Sequence, residues 1–423
     1  MIKFFNFKKT NNFKALEKFL EKRRTGKNVD TSIVTKILND VKKNKNRAVL
    51  KYEKKFSNNK ILNPTKAEIT KSIKSLDPKV KKAIDIAFDR IYKFHKLQKN
   101  KNIKYIDRYK NKIEHVYVPL NSIGIYVPAN LPSTLMMNAI PAKISQVKNI
   151  VLANPRYNGK LNAAVMYVAK KCKINHIISV GGAQAIGSLA YIQKVDKIFG
   201  PGSDYVARAK REVFGDVGIE GMIAGPSEIT VVADNISDTN KVITSMAAQS
   251  EHGINSQSIL ISKNIKLIKS VKKKIKILVN NVPRSKIVKR SLKKNGLLIL
   301  VKDKQQITKI INMISPEHLE LLSKDYRNLL DKIYNVGSIG LGQYSPVAAS
   351  DYNVGTNHTL GTLGSAKFAS GLNLSDFYKK ISRFTLSKKG IEVIGKQAIT
   401  LAEYENLHVQ HLVLSQDFKS LIF

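Results

Sequence analysis

His176-Ile177-Ile178-Ser179-Val180-Gly181-Gly182-Ala183-Gln184, running on to Gly200-Pro201-Gly202-Ser203, decides how the chain folds. A short apolar run ends in two glycines and a helical stretch follows to about Ile192. A second apolar run, Lys197–Phe199, then ends in a Gly-Pro-Gly turn, and a helix is expected over Tyr205–Val213. Glycine lets the backbone turn tightly, and a helix starting at such a turn offers free N–H groups to an anion. Neither turn is a full GxGxxG, so the spacing fits a strand–turn–helix cradle for a dinucleotide phosphate and equally a plain βα turn that needs glycine. Outward from this stretch the same alternation continues. β-rich runs at 123–127, 150–153, 229–233, 258–262 and 297–301 are separated by helix-length segments. Strands spaced in this way predict parallel βαβ units and an α/β fold. Residues 79–97 predict an amphipathic helix, with Val80, Ile84, Ala87, Phe88, Ile91 and Phe94 three or four apart. Residues 375–411 predict helix again.

The 423 residues suffice for two or three domains, and 43% hydrophobic residues supply ample core. No apolar run approaches the ~18 residues of a membrane span. The N-terminal stretch is basic and lacks a signal peptide's apolar core. A cytoplasmic protein with no membrane partner is therefore expected, with Phe4, Phe5 and Phe7 reading as a docking arm. The single Cys172 excludes an internal disulfide and a CxxC zinc module. The formal charge is +42, carried by 61 Lys and only 12 Arg. Readers of bases and phosphates favour the bidentate fork of Arg. The Lys excess, densest over 1–115 and 264–310, therefore predicts solvated faces of a basic enzyme and no specific nucleic-acid partner.

Four polar clusters could carry chemistry. In Gln249-Ser250-Glu251-His252-Gly253, at the end of a helical stretch, an amide oxygen and an imidazole at i and i+3 share one face and could share a metal. In Ser315-Pro316-Glu317-His318-Leu319-Glu320, an adjacent carboxylate and imidazole suit proton transfer; the plainer reading is a helix start with Pro316 in its first turn. Residues 350–358, Ser-Asp-Tyr-Asn-Val-Gly-Thr-Asn-His, form a loop dense in ligand atoms, and 403–411 carries Glu405, His408 and His411. Oxygen and nitrogen donors without thiolate suit a catalytic divalent metal better than a closed structural zinc. His95, His115 and His176 read as structural or merely exposed.

In their order and spacing these motifs resemble the histidinol dehydrogenases. The carriers are GIYVP (124–128), PSTLMMNAIPAK (132–143), SVGGAQAIGSLAY (179–191), VDKIFGPG (195–202), AGPSE (224–228), AAQSEHG (247–253), PEHLE (316–320), SDYNVGTNH (350–358) and ASGL (369–372), within a likeness running from about residue 20 to about 415. The resemblance implies two incomplete Rossmann-like domains with N- and C-terminal helical arms. The division it suggests is an N-terminal arm over 1–20, a discontinuous α/β domain over 21–125 plus 229–372, an inserted cofactor-side domain over 126–228, and a C-terminal tail over 373–423 that reaches a partner subunit. It implies NAD-dependent four-electron oxidation of L-histidinol to L-histidine through histidinal, the last step of histidine biosynthesis, in a homodimer with shared active sites and one Zn²⁺ per subunit. By motif, Gln249, His252 and Asp351 match metal ligands, with His411 preferred to His408 as the fourth. Glu317 and His318 match the catalytic pair. Ser227 and Glu405, together with His318 and the four metal ligands, match substrate contacts. Tyr126, Gln184 and Ser203 match NAD contacts, Ser203 standing where the family usually has Asn. Ala129-Asn130 and Gly361 also depart from the pattern, leaving as the alternative a same-fold zinc and NAD dehydrogenase acting on another polar or amino alcohol.

Overall fold

A computed structural model describes residues 2–10, 12–25, 31–221, 225–234, 239–322, 325 and 327–419; the side chains of 25, 411 and 415–419 lie outside this description. The chain divides into two units, one of residues 1–98 with 120–377 and one of 99–119 with 378–423.

The larger unit is built on two all-parallel sheets. One has five strands in the order His176–Ile178, Asn149–Ala153, Ser122–Tyr126, Lys197–Phe199, Gly218–Ile219. The other has six, in the order Lys3–Asn6, Leu297–Leu300, Gln257–Ser262, Glu228–Ala233, His318–Leu321, Ser338–Leu341. Numbered along the chain, each sheet repeats the doubly wound order 3-2-1-4-5, and the six-stranded one adds Lys3–Asn6 beside its third strand. Buried parallel strands are apolar on both faces, and Glu228–Ala233, Gln257–Ser262 and Leu297–Leu300 are buried at every position. The two Rossmann-like halves expected from the sequence are present.

Three readings change. The Phe-rich N-terminus forms an edge strand of its own chain's sheet, and Phe7, Leu16 and Leu20 fill that sheet's core. The strand Ser122–Tyr126 is the middle strand of the five-stranded sheet. The helix Thr31–Ser57 packs on the same layer, Val34, Ile37, Leu38 and Val41 sharing a cluster with Ile186 and Leu189. Gly187 permits that contact: an added Cβ would stand 3.2 Å from both Leu38 and Val41. Pro316 does not open a helix. The helix Lys304–Ile314 ends at Ser315 in a left-handed conformation (φ 51°), Pro316 follows, and a strand begins at His318. Finally, 378–385 is a strand.

That strand, Tyr378–Thr385, belongs to the smaller unit, pairing antiparallel with Lys112–Pro119, which also pairs with Ile103–Ile106. The helices Lys388–Tyr404 and His408–Lys419 follow it, the first capped by Ser387 Oγ accepting from Gly390 N–H at 2.9 Å. The expected helix over 79–97 is Pro78–Lys96, burying Ile84, Ala87, Phe88 and Ile91. The Lys-rich segments are amphipathic: Ile265–Leu278 buries Leu267, Ile268, Val271 and Ile275, and its lysines face water. Among the described residues no helix is long and apolar enough to cross a membrane.

Candidate active site

The two sheets present opposite ends. On the five-stranded sheet the glycine turns lie at the carboxyl ends of the strands: Gly181-Gly182 after the edge strand His176–Ile178, and Gly200-Pro201-Gly202 after Lys197–Phe199, at the switch point beside Ser122–Tyr126. Gly200 adopts φ +101° there, and an added Cβ would drive into the carbonyl oxygen of Tyr126. Only glycine lets these two strand ends close up. Tyr126 and Gln184 are buried, and Tyr126 OH accepts from Gly182 N–H at 3.4 Å. Ser203 is exposed and caps the helix Asp204–Val213 without a side-chain hydrogen bond, so its hydroxyl is not committed to the helix.

The cradle expected at Gly181-Gly182 is filled by the chain itself. Glu53, wholly buried, accepts from Gly181 N–H at 2.9 Å and from Gln184 Nε2 at 2.8 Å, both through Oε1. A carboxylate at a helix start is what the dipole favours, and here it takes the place that a phosphate would need. Glu53 was invisible in the sequence, since it lies in a Lys-rich helix that reads as solvated.

On the six-stranded sheet the polar residues gather at the amino ends of the strands. Glu317 and His318 open His318–Leu321, while Ser227 and Glu228 open its neighbour. His318 Nε2 lies 3.8 Å from Glu317 Oε1 and 3.8 Å from Asp351 Oδ1. Among the described residues His318 Nδ1, which is buried, has no hydrogen-bond partner. Ser227 Oγ lies 3.3 Å from His252 Nδ1, and His252 N–H donates to Gln249 O at 3.3 Å, in the turn ending the helix Thr239–Ser250. Gln249 is buried and His252 exposed. His358 Nδ1 lies 2.6 Å from Asp351 O and helps fix the loop that carries Asp351.

Burial dominates the electrostatics. It lowers the His318 imidazole to about 3, with His358 and His252 pushing the same way, so this ring is neutral. It raises Asp351 to about 6. It holds Glu317 well above the usual carboxylate range; a hydrogen bond from Glu228 N–H and the Arg23 charge oppose this, and the charges of Glu228 and Asp351 add to it.

Ser227, Gln249, His252, Glu317, His318 and Asp351 thus fall in one region, and Tyr126, Gln184 and Ser203 at the edge of the other sheet. Glu405 and His408 are exposed residues of the smaller unit. The side chain of His411 lies outside the described residues. Reading the sequence missed Glu228 and its partner Arg23. The Glu of AGPSE was the only signal, and nothing linked it to a residue some 200 positions upstream. His95, read as structural, is buried, with Nδ1 at 2.9 Å from Ile91 O.

Two doubly wound sheets, one ending in glycine-turned helix starts and the other in a buried Glu–His pair beside a carboxylate, define an α/β enzyme equipped for proton transfer. The histidinol dehydrogenase family model matches residues 20–414. The histidinol dehydrogenase of Pelagibacter ubique (strain HTCC1062) is 52% identical over 414 residues, spanning 96% of this chain and 97% of that one. That of Dechloromonas aromatica (strain RCB) is 40% identical over 88% of each chain. The crystal structure of histidinol dehydrogenase from Elizabethkingia anophelis superposes with a TM-score of 0.93 at 33% identity, covering 100% of this chain and 99% of that one. The chain belongs to the histidinol dehydrogenase family, oxidoreductases of the last step of histidine biosynthesis.

Proposed function

We propose that the chain is a zinc- and NAD-dependent dehydrogenase that oxidises L-histidinol to L-histidine through histidinal. The observation that carries this reading is the buried Glu317–His318 pair, set against the half-buried carboxylate of Asp351. Asp351 also speaks for the metal: its nearest charged or titrating partner is a neutral imidazole 3.8 Å away, and such a carboxylate is stabilised by a cation placed against it. Gln249, His252 and Asp351 would hold Zn²⁺, with His411 of a second subunit as the fourth ligand. Zn²⁺, when bound, supplies a Lewis acid that orients the substrate's nitrogens. NAD⁺, when bound, accepts a hydride in each half of the reaction.

The chain's own residues move the protons. His318, neutral, takes the hydroxyl proton in the first half. Water then adds to the aldehyde carbon: its proton passes to Glu317, and the carbonyl oxygen takes the proton held by His318. His318 takes a hydroxyl proton again from the resulting diol in the second half. Burial raises the proton affinity of Glu317, which strengthens it as a base for this step. Ser227 and Glu405 would bind substrate; Tyr126, Gln184 and Ser203 would bind NAD⁺. The division at 126–228 and 229–372 belongs to the same proposal, as does a homodimer in the cytoplasm. The test is the purified protein with L-histidinol and NAD⁺, scoring NADH formed per substrate consumed. A ratio near two is expected; a ratio near one means a simple alcohol dehydrogenase, and no NADH overturns the reading.

A further inference from the structure

Glu317 is held by a device spanning three segments of the chain. Strands Glu228–Ala233 and His318–Leu321 pair with Ile229 opposite His318. One residue before that register, two glutamates exchange hydrogen bonds with each other's main chain. Glu228 N–H donates to Glu317 Oε2 at 2.7 Å, and Glu317 N–H donates to Glu228 Oε2 at 3.4 Å. The other oxygen of Glu228 accepts from Leu363 N–H at 3.0 Å and from the Arg23 guanidinium. Arg23 spends its remaining donors on Pro226 O at 3.1 Å and Asn255 O at 3.3 Å. The Arg23 and Glu228 side chains are only 9% and 3% exposed.

A buried ion pair is weak ground for stability, because desolvating both charges offsets their attraction. What this pair does is directional. It anchors the Glu228 main chain whose N–H occupies Glu317 Oε2. Among the described residues no hydrogen bond reaches Glu317 Oε1, the oxygen nearer His318. We infer that Arg23 and Glu228 are positioning residues for Glu317, turning Oε1 toward the reacting water.

This inference rests on the water-activating role proposed for Glu317. In that role Oε1 is needed for hydration of the aldehyde and not for the first oxidation, so loss of the clamp falls on one half of the reaction. Groups that orient an active-site residue from behind are typically worth about 10–100-fold. The experiment uses the full-length protein, with single-turnover NADH formation started once from L-histidinol and once from histidinal. Glu228→Gln is expected to slow the histidinal half about 10–100-fold and to leave the histidinol half and both KM values within about threefold. Arg23→Lys keeps the charge without the fork and is expected to fall between wild type and Arg23→Met. If Glu228→Gln fails to fold, this Arg23 series carries the test. Equal slowing of both halves, or no slowing, in folded variants overturns the positioning role while leaving the reaction intact. Wild-type protein that forms no NADH overturns the proposed reaction and this inference with it.

Discussion

Removing the Glu53 carboxylate tests whether the glycine turn at Gly181-Gly182 serves the cofactor through its helix start or through Gln184. Glu53 is fully buried, and both of its strong hydrogen bonds, from Gly181 N–H and Gln184 Nε2, end on Oε1; only a 3.4 Å contact from Asn59 Nδ2 reaches Oε2. Glu53→Gln can keep a carbonyl oxygen at the Oε1 position, so it keeps both strong partners and loses charge assistance and the weak Asn59 contact. A cost of about 2–3 kcal/mol follows, the difference between charged and neutral hydrogen bonds summed over two. Glu53→Ala strands both donors. At about 1.5–3 kcal/mol for each bond to a charged group, it costs roughly 3–6 kcal/mol. It also releases Gln184, whose re-ordering on binding costs up to about 1.5–2 kcal/mol, or about tenfold in affinity. The assay is NADH fluorescence titration beside urea unfolding. The expected result is a stability order of wild type, Gln, Ala, with NADH bound about tenfold more weakly by Ala and within about threefold of wild type by Gln. Tighter NADH binding by Glu53→Ala would refute the reasoning, because it would mean that Glu53 had been masking a phosphate site at that helix start.

Glu317→Gln should retain much of the histidinal-forming half and lose about 10²–10⁴-fold in the hydration-dependent half, read by single-turnover NADH formation from each substrate; equal slowing of both halves would reduce Glu317 to a support for His318. Chelation should abolish NADH formation while leaving circular dichroism unchanged, since both sheets have apolar cores of their own. In the same activity assay, His411→Asn should cost far more than His408→Asn, and mixing inactive His411→Asn and Asp351→Asn chains should restore part of the activity if the ligand crosses a dimer. Gly200→Ala, at φ +101° and against the Tyr126 carbonyl, should cost at least about 1–3 kcal/mol by urea unfolding and weaken NADH binding. Unchanged stability would show that the two strand ends can separate.

What the sequence reveals follows the range over which its physics acts. Strands 197–199 and 257–262 and the helix Pro78–Lys96 were legible because their apolar patterns and glycine turns are local. The strand Tyr378–Thr385 was not, since its partner lies some 260 residues upstream and nearly every side chain on it is exposed, leaving no alternation of faces. Lys3–Asn6 failed for the same reason: its partner is Leu297–Leu300, and nothing in the first ten residues shows that Phe7 has a core to enter. At Pro316 the local rule pointed the wrong way, because Ser315 takes the left-handed conformation that ends the preceding helix. Within the site, Glu317, His318, Gln249, His252 and Asp351 stood out as polar clusters. Glu53, Glu228 and Arg23 did not, because each becomes a buried acceptor or donor only when a segment more than a hundred residues away arrives.

The use of opposite sheet edges has a physical consequence. In a βα repeat, helices begin at the carboxyl ends of the strands and finish at the amino ends, so one edge of the sheet carries positive helix starts and the other negative helix ends. On the six-stranded sheet the polar residues sit at the amino edge. There the helix Lys304–Ile314 ends just before Glu317, and the helix Thr239–Ser250 ends just before His252. Carboxylates crowd a place that already carries negative partial charge, and the helix Phe13–Thr25 answers with two arginines. Arg23 pairs with Glu228, and Arg24 donates to Met313 O and Ile314 O, both at 2.9 Å, covering the helix end. Among the described residues neither reaches Asp351, a half-buried carboxylate whose ion-pair neighbour is the His318 ring at 3.8 Å. Such an edge favours a cation over a phosphate, which is what the proposed metal would need. The carboxyl edge of the five-stranded sheet, with helices starting at Pro132 and Asp204, has the reverse preference. The same strand order, used once at each edge, therefore suits two ligands with opposite electrostatic demands, as the proposed oxidation requires of its metal-held alcohol and its diphosphate cofactor.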